Sequence, residues 1–133
     1  MSMQVLEPPG WAAPRGYANG VSATGRMVFV SGQIGWNAQA QFESDDFVAQ
    51  TAQALRNIVA VLAAGDATPT HIVRMTWYVT DRAEYLRRAK EIGAVYREVI
   101  GRHYPAMTAV EVSALIEERA KVEIEVTAVV PVR

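Results

Sequence analysis

Few side chains in this 133-residue chain could carry chemistry. There is no cysteine, which excludes thiolate nucleophiles, disulfides and cysteine metal sites. His71 and His103 stand far apart and match no metal-ligand spacing, so each is expected at the edge of an element. Val30-Ser31-Gly32 is not the G-x-S-x-G elbow, and neither a dinucleotide fingerprint nor a P-loop occurs. What remains is carboxylate, hydroxyl and backbone. Glu123 and Glu125 alternate with Val122, Ile124 and Val126, which puts both carboxylates on one face of a strand. Glu111, on the strand before, is expected to join them. Carboxylates on a bare sheet face imply a water-filled cleft or a polar subunit interface.

The elements that must hold these groups follow from periodicity. Pro8, Pro9, Gly10, Pro14 and Gly16 make residues 1–15 an irregular lead-in to a single domain spanning 1–133. Met27-Val28-Phe29-Val30 is a strand between Gly25 and Gly32, with Gly20 to Thr24 as its hairpin partner. Phe47, Thr51, Leu55, Ile58 and Leu62 form the buried stripe of a first helix, capped by Ser44 and ended by Gly65. Ile72 to Thr80 is a second strong strand. A second helix starts at Asp81, with Glu84 in a capping-box arrangement; Tyr85, Ala89, Ile92, Tyr96 and Val99 are its stripe. Gly93 inside it costs about 1 kcal/mol relative to alanine, so it allows close packing or leaves space for something else. Strands Met107 to Val112 and Val122 to Val130 complete an α+β fold, a mostly antiparallel sheet with two helices on one face.

Composition narrows the function classes. Thirteen basic and fourteen acidic residues give a net charge of −1, too little for a field that drives tight binding to nucleic acid or anionic lipid. Arg82, Arg87, Arg88, Lys90, Arg97 and Arg102 make the second helix basic. It carries no interleaved aromatic platform, and i,i+4 pairs such as Arg87–Glu91 suit a solvated face. The start, Met1 to Pro9, lacks the basic and apolar regions of a secretory signal, so a cytoplasmic protein with no membrane association is expected. Half of the residues are hydrophobic and 20% charged, which leaves few polar groups for the surface and suggests that part of it is covered by other copies.

Several segments together carry a family resemblance: Gly16-Tyr17-Ala18-Asn19-Gly20, Val28-Phe29-Val30-Ser31-Gly32-Gln33-Ile34, Ile72 to Asp81, Tyr104-Pro105-Ala106-Met107-Thr108-Ala109-Val110-Glu111-Val112, and Lys121-Val122-Glu123-Ile124-Glu125. With these the chain resembles the reactive intermediate deaminase family (RidA, also called YjgF) from about Gly16 to Val130. The resemblance implies a chorismate-mutase-like protomer, a homotrimer, and inter-subunit clefts that hydrolyse 2-imino or enamine acids without a cofactor or metal. It assigns Glu123 the catalytic water-activating position, and Tyr17 and Gly32 places in the substrate pocket. Three positions depart from the family: Met107 stands for the carboxylate-anchoring arginine, Gly93 for an asparagine, and Ala109 for a small polar or thiol residue. Trp36, just past the Ser-Gly-Gln turn, is a further candidate for the pocket, where with Met107 it would suit an apolar or planar ligand. Loss of the guanidinium argues against standard 2-imino acids as substrates. Two functions follow as expectations, a hydrolase of enamines or imines and a non-catalytic binding trimer. A ribonuclease role, also attached to the family, has only the basic helix in its favour.

Overall fold

Residues 3–132 are described by a computed structural model; Met1, Ser2 and Arg133 lie outside the described residues. The elements run β1 (Met3–Leu6), β2 (Gly20–Ala23), β3 (Arg26–Ile34), α1 (Phe47–Ala64), a 3-10 turn (Pro69–His71), β4 (Ile72–Val79), α2 (Arg82–Arg87), α3 (Ala89–Val99), β5 (Ala106–Glu111) and β6 (Val122–Val130). Four strands form a sheet in the order β3-β6-β4-β5, with β4 and β5 parallel and the other two pairings antiparallel. The expected α+β class and mostly antiparallel sheet are therefore observed.

The core lies between one sheet face and the helices. Val122, Ile124, Val126 and Ala128 of β6 and Met75, Trp77 and Val79 of β4 meet Phe47, Leu55, Ile58 and Leu62 of α1 there. By length and hydropathy α1 is apolar enough to cross a membrane, yet its stripe is buried against the sheet, as in the core helix of a soluble domain. Leu55 is fully buried, so Leu55→Ala is expected to cost about 2–5 kcal/mol. Urea unfolding at fixed protein concentration measures that loss.

Four expectations are corrected. The lead-in is not wholly irregular, because β1 precedes the prolines and pairs with β2 through Met3↔Ala23 to Leu6↔Gly20. β2 is consequently not the hairpin partner of β3; β3 pairs along its length with β6, whose inward residues match its own. The cap of α1 is Asp46, which accepts from the Ala49 amide at 3.0 Å, while the Ser44 hydroxyl accepts from the Asp46 amide one step earlier. The second helix is two, broken at Arg88, so three helices are present where two were expected. Nothing at that position announces a break, since it is neither glycine nor proline and the apolar stripe runs through it. Ala89 of that stripe is exposed.

Arg88 at the break binds Asp46 at 2.7 Å, Glu91 at 2.9 Å and Glu84 at 3.5 Å, clamping the start of α1 to the α2–α3 junction. The pairing expected for Arg87 with Glu91 is therefore made by Arg88, and Arg87 turns to Glu84 at 3.8 Å. The Arg88 hydrogen bond holds the Asp46 carboxyl below 3.8, and that of Glu91 is lowered by the same guanidinium. Carboxyls depressed in the folded state stabilise it fully above their ordinary values and lose that contribution as pH falls through the folded ones. Arg88→Met is expected to lower the melting temperature at neutral pH. The gap from wild type should close as the pH drops below 3.8, which melting curves across that range will show.

Candidate active site

Glu123 is delivered to its place by a buried polar residue of α1. The Gln50 side chain, 1% exposed, donates to the carbonyls of Ser44 and Arg119 and accepts from the Lys121 amide at 2.8 Å, two residues before Glu123. Every polar atom of that amide is thus used, and the start of β6 is fixed. Strict alternation then sends Val122 and Ile124 into the core and Glu123 and Glu125 to the opposite face, which no helix covers.

On that open face the two carboxylates differ. Glu125 accepts a hydrogen bond from the Tyr78 hydroxyl at 2.6 Å, which with burial raises the Tyr78 pKa. The Glu123 side chain makes no hydrogen bond among the described residues; its carboxylate lies directly on the α-carbon of Gly32. A side chain at position 32 would occupy the space of the Glu123 carboxyl group, so glycine is required there. The backbone of β3 is also irregular at this point, its register with β6 shifting between Val30 and Gln33. Gly32 and Glu123 are thus two expected site residues that the protomer brings into contact.

The remaining candidates gather elsewhere. Met107 is half-buried and packs against the core on the helix side of the sheet, opposite Met75 in the parallel register. It lines a cavity of about 380 Å³ with Gly93 and with the aromatic rings of Trp77, Tyr85, Tyr96 and Tyr104. Tyr96 and Tyr104 stack with centroids 5.5 Å apart, and Trp77 meets Tyr85 edge-on at 6.3 Å. Burial raises the pKa of Tyr85 and Tyr96, which keeps both phenols neutral. Tyr17, 42% exposed, stands beside this cavity, because Ala18 bridges Ala106 and donates to the Pro105 carbonyl at 2.9 Å. Ala109 lines a smaller adjoining crevice that shares Tyr85.

Trp36 joins neither group. It bridges Phe42 in the backbone, packs against that ring at 6.0 Å, and its carbonyl accepts from Asn57. Glu111 is corrected as well: with Met107 and Ala109 it points to the helix side, where its carboxylate accepts from the Arg82 amide at 2.7 Å and caps α2. Residues two apart on β5 share a face, and the parallel pairing with β4 reverses the side assumed for them. Arg74 lies on the open face, in a groove with Phe29, Ser31 and Glu125, away from Met107. His71 accepts from the Thr68 amide and His103 donates to the Ile72 carbonyl, so both serve backbone capping. Among the described residues no cluster of three or more histidine, aspartate or glutamate side chains could hold a metal.

The fold and these residues define a small α+β domain with an unpaired carboxylate on an uncovered sheet face and an aromatic cavity on the other side. Residues 10–130 match the family described as endoribonuclease L-PSP, and the chain belongs to this family, the RidA/YjgF superfamily. It is 38% identical to protein DfrA of Myxococcus xanthus over 79% of this chain and 77% of that protein. It is 32% identical to the 2-iminobutanoate/2-iminopropanoate deaminase of Salmonella typhimurium over 97% of this chain and 98% of that enzyme. Among solved structures, the Rid-family protein YyfB of Yersinia pestis superimposes with a TM-score of 0.84 at 32% identity, covering 98% of this chain and 100% of that one. Escherichia coli TdcF, solved with bound serine, gives 0.67 at 32% identity, covering 95% and 98%.

Proposed function

We propose that the chain is a cytoplasmic homotrimer that hydrolyses reactive enamine or imine compounds in clefts between subunits. Glu123 activates the water, and the Met107 cavity of a neighbouring subunit receives the substrate. One observation carries this reading: the only carboxylate resting on Gly32 is left unpaired on an open sheet face, while the cavity that would hold a substrate opens on the other side. A small molecule cannot touch both within one protomer, and a second copy docked on the open face would supply the missing half. That face carries Met27 and Phe29, 55% and 69% exposed, which burial between copies would remove from water. That a Salmonella typhimurium relative is named 2-iminobutanoate/2-iminopropanoate deaminase supports this reading.

In this mechanism an enamine first tautomerises to its imine, and Glu123 takes a proton from a water above Gly32 as the oxygen attacks the C=N carbon. It returns the proton to nitrogen to give a carbinolamine, then takes the hydroxyl proton and passes it to nitrogen as the C–N bond breaks, giving a carbonyl product and ammonia. Met107 offers no charge to a carboxylate held against β5, so short 2-imino acids such as 2-iminopropanoate are poor substrates for this chain. The non-catalytic binding trimer is the second reading, favoured by that same residue. Purified protein mixed with freshly generated imino acids and neutral enamines separates the two. Accelerated ammonia release that depends on Glu123 supports the hydrolase; release at the rate of buffer alone overturns it. Light scattering should give three times the 14.6 kDa chain mass.

A further inference from the structure

The Met107 cavity has lost one guanidinium but contains two others. Arg97 of α3 and Arg15 of the lead-in both line it, and no acidic residue does. Arg97 lies one helical turn beyond Gly93, on the same face of α3. Its side chain folds back over that glycine, with Nη1 3.3 Å from where a β-carbon would stand. Side chains on a helix lean toward its N-terminus, so a bare position four residues earlier is the space such an arginine can enter. Arg87 and Arg88 are held by carboxylates, whereas Arg97 has no ion-pair partner among the described residues. At the cavity wall Trp77 adds a second unmet demand. It is 2% exposed, and its indole N–H has no acceptor.

We propose that Arg97 is the anion anchor of this cavity, and that the ligand is a small carboxylic acid with an aromatic body. The inference rests on the cavity being the substrate site. Positive charge without a carboxylate partner, an unpaired indole donor and four aromatic rings together select such a molecule. A volume of about 380 Å³ accommodates one ring and a short acidic arm. The guanidinium enters from the helix rather than from β5, so the carboxylate it holds sits against α3, and Met107 packs on the apolar part. Gly93 leaves that space open: a β-carbon there would already crowd Arg97 at 3.3 Å, and a large side chain would compete with it for the cavity.

Calorimetry with phenylpyruvate and with its uncharged counterpart phenylacetone tests this directly. Wild type is expected to bind the acid at least about tenfold tighter than the ketone, as a charge-assisted hydrogen bond would provide. Arg97→Ala should weaken phenylpyruvate about 10- to 150-fold and leave phenylacetone unchanged. Arg97→Lys should keep part of the preference, and Gly93→Leu, which also intrudes on the cavity, should reduce the preference for acid over ketone. Arg97 is exposed, so its variants are expected to melt as wild type does. Equal affinity for acid and ketone, or phenylpyruvate binding indifferent to Arg97→Ala, overturns the inference. Glu123-dependent turnover alongside that indifference would sink this inference alone; Arg97-dependent binding without turnover would sink only the hydrolase.

Discussion

Replacing Glu123 by glutamine is expected to slow hydrolysis of enamine or imine substrates by about 10²- to 10⁴-fold, the usual contribution of a positioned acid–base group. The amide fills the same volume over Gly32, so the fold and the affinity for an unreactive ligand should stay within about twofold of wild type, as for any near-isosteric exchange away from the core. Loss is therefore expected in kcat, with KM little changed, because proton transfer matters only in the transition state. Ammonia release measured at saturating substrate checks this. A variant that retained wild-type kcat would remove Glu123 from the chemistry.

The second large effect is a gain. Met107→Arg places a guanidinium on β5 in the cavity that already holds Trp77 and Tyr104. A planar fork there can hold a carboxylate bidentately, and each charge-assisted bond contributes about 1.5–3 kcal/mol. Turnover of 2-iminopropanoate should rise about 10- to 1000-fold in kcat/KM. Arg15 and Arg97 lie in the same cavity, so the new cation is added to an already positive site, and the gain should shrink as salt rises. Rates measured against wild type at low and high ionic strength test both statements. An unchanged kcat/KM would mean that position 107 does not face substrate.

The sequence made much of this architecture readable because its signals were periodic. Alternation in Val122 to Val130 and the stripe Phe47 to Leu62 defined a strand and a helix, and the residues they buried are the observed core. The contact of Glu123 with Gly32 was accessible only as two matching family positions, since it depends on the register of β3 against β6 and on the shift between Val30 and Gln33. Glu111 was misplaced because alternation along β5 tells which residues share a face, not which face that is. Arg88 and Gln50 went unread for a different reason. Their roles rest on partners far away in sequence, Asp46 for the first and Lys121 for the second, and no local pattern announces them. Arg97 carried a faint signal, an arginine four residues after a helix-interior glycine, which acquires meaning once the cavity below it is seen.

The proposed site is divided between copies of the chain. Mixing two impaired variants, Glu123→Gln with an intact cavity and Met107→Trp with an intact carboxylate, tests that most directly. After denaturation and refolding together in equal amounts, random assembly pairs a good carboxylate with a good cavity in about a quarter of the clefts of a closed ring. The mixture is thus expected to recover about a quarter of wild-type turnover, far above the roughly one-hundredth or less that Glu123→Gln retains alone. Activity that stays at the level of the separate variants would place carboxylate and cavity in the same subunit and contradict the account.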